Sequence, residues 1–172
     1  SLEKGSYQIL DSKEMSSQSN YSGGLGFNRL SIIDISSRGH QPMISNDRKI
    51  IIAFNGEIYN AFNLKPDLEK KGITFRSDTD TEVLLNLYLV YGQKKMLELI
   101  NGMFAICIID LNKQKIILTR DRLGIKPLYI AHLDNQILFA SEVKSFLYHP
   151  NFRMNLNIES VSVYPATDIF NL

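Results

Sequence analysis

A chain of 172 residues, 44% hydrophobic and with a formal net charge of +1, suits one domain with a sizeable core. Its Lys and Arg residues are scattered, which argues against nucleic acid or an anionic membrane as the main partner. The single cysteine excludes an internal disulfide framework and suits a reducing cytoplasm, and no apolar run approaches the ~20 residues that span a bilayer.

Residues 1–23 are polar and irregular, with one short strand candidate, SYQIL. GLGFNRLSIID (24–34) reads as a strand in which Leu25 and Phe27 alternate with small or polar residues. SSRGHQPM follows as loop. KIIIAF (49–54) is rich in β-branched residues and reads as a strand buried on both faces, running into Asn55-Gly56. Residues 60–71 form a short amphipathic helix ended by Gly72. ITFRS is a brief strand. SDTDTEVLLNLYLVYG is the clearest helix, capped by Thr79 or Asp80, with Glu82 in its first turn. A second helix, QKKMLELI, precedes four strands: GMFAICIID, KIILTR, KPLYIAHL and NQILFAS. A helical turn in EVKSFLYHP stops at Pro150, and an irregular tail remains. The short turns between the late strands imply antiparallel pairing. The pattern points to an α+β fold, a four-layer α-β-β-α sandwich of two antiparallel sheets.

Several stretches carry possible chemistry. Asn-Gly after a strand normally turns a hairpin, yet the residues that follow read as helix. Read as the end of a strand, Asn55 and Gly56 present two backbone amides and an amide side chain with nothing pairing beyond them. Such donors can hold an oxyanion, and an ordinary turn is the alternative. Arg29 interrupts an apolar strand and Asp80 stands at a helix start. Together they could take the carboxylate and ammonium of a free amino acid; separately, each has a structural explanation, as does Glu57. In TRDRLGIKPLY (119–129), Arg-Asp pairing at a hairpin is the expectation. Cys107 lies among apolar residues, which makes it inert packing rather than a nucleophile. His40, His132 and His149 have no metal-ligand spacing.

Taken together, GLGFNRLSIIDIS, QPM, FNGEIYN, SDTDTEVLL, GMFAICIID, TRDRLGIKPLY and FASEVKSFL resemble, in that order, the glutamine-hydrolysing domain of asparagine synthetases. FNGEIYN and RDRLGIKPLY are highly specific as a pair. The resemblance implies a class II glutamine amidotransferase domain over residues 24–150, with an irregular segment at 1–23. Residues 151–172 would start a linker to a synthetase domain. It implies the N-terminal-nucleophile hydrolase fold, with L-glutamine hydrolysed to glutamate and ammonia.

On that resemblance Arg29 binds the glutamine α-carboxylate. Asp80 takes its α-ammonium with help from Glu57, and Asn55 and Gly56 form the oxyanion hole. No cofactor belongs to this domain; ATP and Mg²⁺ belong to a synthetase domain that activates aspartate. The family's nucleophile is an N-terminal cysteine, and Ser1 to Gly23 contain none. The sequence as it stands is therefore expected to lack its first strand and to be inactive alone, with exposed sheet edges that favour a homodimer. A relative with another ammonia acceptor, or a non-catalytic glutamine binder, are the alternatives.

Overall fold

The computed structural model describes residues 23–27, 39–133 and 135–155. They divide between Leu128 and Tyr129 into two compact units. The first holds a four-stranded antiparallel sheet in the order β1-β2-β3-β4. Its central strands are β2 (Ile50–Ile58) and β3 (Gly102–Asp110), paired along their whole length from Ile50↔Asp110 to Ile58↔Gly102. β4 (Lys115–Arg120) lies beyond β3, and β1 (Met43–Ile44) covers β2 only opposite Ile51 and Ile52. The even-numbered residues of the central strands, Ile52, Phe54, Ile58, Ile106 and Ile108 among them, point into the core.

That core is completed by two helices, α1 (Ala61–Lys70) and α2 (Asp80–Leu99). Leu68 of α1 and Leu84, Leu85, Leu87 and Met96 of α2 are fully buried in it. Each such side chain contributes roughly 1.5–3 kcal/mol on burial. A ten-residue helix with Pro66 inside it would be marginal alone; packing, not propensity, holds α1. Gly72 ends α1 as expected, with φ of 86°. The two helices expected at 77–92 and 93–100 are both present, separated within Asp80–Leu99 by a kink at Gly92, where φ is 74°. No helix among the described residues is long and apolar enough to cross a membrane.

The second unit holds an antiparallel pair of β5 (Tyr129–Leu133) and β6 (Gln136–Ala140), in register from Tyr129↔Ala140 to Leu133↔Gln136. A 3-10 helix (Val143–Tyr148) follows, its buried Phe146 stacked in tilted contact with Phe152.

GMFAICIID and KIILTR form strands residue for residue, while other expectations need correction. ITFRS forms no strand, because the amides of Arg76 and Ser77 are taken by the Glu82 carboxylate rather than by a ladder. QPM is not all loop: Met43 begins β1. The strand read at 49–54 does not stop at Phe54 but continues through Asn55, Gly56 and Glu57 to Ile58. In the TRDRLGIKPLY stretch Asp121 pairs with no arginine among the described residues. Its carboxylate accepts from the backbone N–H groups of Phe104, Leu123, Ile125 and Lys126, while Arg120 and Arg122 are exposed. Of GLGFNRLSIID, residues 24–27 form no strand, and the rest lies outside the described residues, as does SYQIL.

Candidate functional site

The site is built on the edge of β2 that β1 leaves uncovered. Phe104, opposite Gly56, has both its N–H and its C=O engaged with Asp121 on its other side. Gly56↔Phe104 is therefore a non-hydrogen-bonded pair, and the Gly56 N–H points away from β3. By the same alternation the backbone N–H of Asn55 faces β3 and belongs to the ladder. This corrects the expectation of two displayed backbone amides: among the described residues Gly56 turns its backbone N–H toward the edge away from β3, while that of Asn55 faces β3. Gly56 is partly exposed, and no acceptor for its N–H occurs among the described residues.

The neighbouring edge amides are both occupied by side chains. The Phe54 N–H donates to Gln41 Oε1 at 2.6 Å, and the Ile58 N–H donates to Asp80 Oδ2 at 3.1 Å. Gly56 lies midway between them. It must be glycine, since a Cβ there would stand 2.0 Å from the Met103 carbonyl oxygen, and its φ is 150°. Gly102 mirrors it across the pair, where a Cβ would lie 2.1 Å from the Glu57 carbonyl oxygen. The two strands approach closely because both positions lack a side chain.

Asp80 opens α2 but does not cap it. Thr79 is the N-cap, its Oγ1 accepting from the Glu82 N–H at 3.3 Å. Asp80 is thereby left to reach across to β2. Its carboxyl is buried, and burial pushes its pKa up, with the nearby Glu57 carboxylate adding to the shift. Among the described residues neither Asp80 nor Glu57 has an ion-pair partner. Two neighbouring carboxylates of which one is buried form a place where a cation is stabilised.

The turn before α2 is held by Glu82, whose buried carboxylate accepts from the Arg76 N–H, the Ser77 N–H and the Ser77 hydroxyl. Beyond β2, Asn60 donates from Nδ2 to the Leu99 carbonyl and accepts at Oδ1 from the Asn101 N–H, both at 2.8 Å. It ties the end of α2 to the end of β2. Neither Gln41 nor Asn60 was among the sequence candidates. A Gln or Asn that bridges backbone far away in sequence leaves no periodic trace, and only their place within QPM and FNGEIYN hinted at them.

Arg29 lies outside the described residues. Asn55, Gly56, Glu57 and Asp80 are brought to one edge. Cys107 sits inside β3, and burial pushes its thiol up to about 12, which keeps it unionised.

Residues 10–171 match the family model described as a glutamine amidotransferase domain. A protein of Methanocaldococcus jannaschii named as a glutamine-hydrolysing asparagine synthetase is 44% identical over 163 residues, covering 86% of this chain and 31% of the relative. Asparagine synthetase 1 (glutamine-hydrolysing) of Bacillus subtilis is 47% identical over 128 residues, covering 74% of this chain and 20% of the relative. The chain thus spans less than a third of the length of either. Among solved structures, a B. subtilis glutamine phosphoribosylpyrophosphate amidotransferase complexed with ADP and GMP is similar, with a TM-score of 0.55 and 31% identity. That match covers 62% of this chain and 25% of the other. The α+β class of two antiparallel sheets with helices, of the N-terminal-nucleophile type, agrees with the sequence expectation.

Proposed function

The chain belongs to the glutamine amidotransferase domain family, and on that premise we propose that the open edge of β2 and the start of α2 bind L-glutamine for a glutamine-dependent asparagine synthetase. One observation carries this reading: the Gly56 N–H has no acceptor among the described residues, while the edge amides on either side of it are occupied.

Attack on the glutamine carboxamide turns its carbonyl oxygen into an oxyanion. The Gly56 N–H and the Asn55 side-chain amide stabilise that charge, and loss of one such donor typically costs ~2.7–4 kcal/mol of transition-state binding. The Asp80 carboxylate takes the α-ammonium, with Glu57 adding negative charge nearby. The cation offsets the desolvation that raises the Asp80 pKa. Arg29 takes the α-carboxylate by a bidentate contact. These residues bind and stabilise; the attacking group is not among them. Protonation of the leaving nitrogen releases ammonia.

In the longer protein that this reading implies, a synthetase domain uses ATP and Mg²⁺ to activate aspartate, and the ammonia attacks the activated carboxyl. Glutamine and that domain are the partners. Calorimetric titration of L-glutamine into the chain, with ammonia release measured on the full-length gene product, tests the site. Binding is expected for the unsubstituted protein and to be at least about tenfold weaker for Asp80→Asn. Equal affinity in both would sink the assignment.

A further inference from the structure

Gln41 is buried, and both ends of its amide are used. Oε1 accepts from the Phe54 N–H at 2.6 Å, and Nε2 donates to Thr81 Oγ1 at 3.2 Å. β1 leaves the edge of β2 after Met43↔Ile52, so the Gln41 side chain stands in for the next rung of the sheet. Thr81 follows Asp80 in the first turn of α2, and Asp80 holds the edge two rungs further on. The first turn of α2 is therefore pinned to β2 at Phe54 and at Ile58, each roughly 7 Å along the strand from Gly56. Core packing of Leu84, Leu85 and Leu87 holds the body of the helix, and these two contacts fix its first turn against the strand edge.

We propose that Gln41 and Thr81 act as a positioning brace that sets the distance from the Asp80 carboxylate to the Gly56 amide, and so selects glutamine over asparagine by length. This rests on the glutamine reading of the site. Neither residue touches the substrate. A ligand held at its ammonium by Asp80 presents its side-chain carbonyl to Gly56 only if the two are the right distance apart. Asparagine is one methylene shorter, a difference worth roughly 10- to 200-fold in a rigid site. Slack in the brace would shrink that factor.

Gln41→Met and Thr81→Val break the same bridge from opposite ends and preserve volume, so either can serve where the other fails to fold. Amide exchange at Ile58 in the chain reports directly on the Asp80 contact. Its protection is expected to fall at least about tenfold in both variants, while that of Ala53, whose amide faces β3, stays as it was. Unchanged protection at Ile58 overturns the brace, whatever the activity. In the full-length gene product, kcat for glutamine is expected to fall about 10- to 100-fold with little change in KM. The ratio of kcat/KM for glutamine over asparagine should narrow, and Thr81→Ser, which keeps the hydroxyl, should restore it. An equal fall for both substrates overturns the selection role. Failure of the glutamine reading itself shows elsewhere, as no ammonia release from glutamine by the unsubstituted protein.

Discussion

The Asp80 carboxylate accepts a hydrogen bond at 3.1 Å from the Ile58 N–H, two residues beyond Gly56, so one buried group belongs at once to a helix start and to a strand edge. Burial raises its pKa. The folded state therefore holds the proton more tightly than the unfolded chain, and the stability this gives is present in full below the ordinary value of 3.8 and is lost as pH rises from there through the raised folded value. At neutral pH the buried, ionised carboxyl costs stability. Asp80→Asn retains an oxygen for the Ile58 amide and removes the buried charge. The variant is expected to melt no lower than the parent at pH 7 and to lose glutamine binding at least about tenfold, as removal of a charged hydrogen bond implies. Thermal melts and calorimetry on the same preparations check both halves. A variant that is less stable yet still binds would contradict the account.

The close approach of β2 and β3 gives a second prediction. Gly56→Ala places a methyl against the Met103 carbonyl at a φ of 150°, where neither backbone can give way without breaking the ladder. A loss of about 2–4 kcal/mol is expected from urea unfolding. Gly102→Ala presses instead on the Glu57 carbonyl. It should cost a similar amount and also weaken glutamine binding, because it moves the strand that carries Glu57. If Gly102→Ala leaves stability unaltered, the strands are not as close as described.

These positions show what the sequence could and could not disclose. β3 and β4 were legible to the residue because long apolar runs end in polar turns, and that signal is carried by every position. The Asn-Gly pair misled in its local meaning. It is a turn signal in general, but here Gly56 is required by the approach of Met103, and the strand continues through it. ITFRS looked like a strand because its composition is β-prone. Glu82, five residues downstream of Ser77, took the amides that a ladder would have needed. Asp80 and Thr79 were equal candidates for the helix cap, and only the geometry assigns the cap to Thr79, freeing Asp80 for β2. Side-chain bridges such as that of Gln41 depend on which segments meet in space, and periodicity carries no record of that.

Acid should expose the Asp121 loop. The backbone N–H of Lys126 leads a set of amide donors, those of Ile125, Phe104 and Leu123 included, that outweighs burial and holds the Asp121 carboxyl down to about 2. Because the folded pKa lies below the ordinary 3.8, the stabilisation is present in full above that value and is lost as pH falls through about 2. Asp121→Asn keeps one acceptor oxygen and no charge. It is expected to lower the melting temperature at pH 7, by a margin that shrinks steadily as the pH is taken from 5 toward 2. Melting curves across that range decide it, and a margin that does not change with pH would mean that the charge contributes nothing.

At the far end of the sheet a similar carboxylate provides the control for all binding measurements. Asp110 pairs with Ile50, the opposite end of β2 from Ile58. Its buried carboxylate accepts from the Tyr88 hydroxyl at 2.6 Å and the Lys113 N–H at 2.9 Å, with Lys113 Nζ 3.2 Å away. Burial acts to raise its pKa, but these donors outweigh burial and hold it below the ordinary value. Tyr88→Phe keeps the ring in the core and removes one donor to a buried charge, a change expected to cost about 1–3 kcal/mol in urea unfolding. Nothing in that cluster reaches the Gly56 edge, so glutamine affinity should not move. Asp80→Asn is predicted to do the reverse, keeping stability and losing affinity. The pair of variants thus separates a general loosening of the fold from loss of the ammonium partner. If Tyr88→Phe weakens glutamine binding as much as Asp80→Asn does, the effect at Asp80 is no evidence for a direct contact with the ligand.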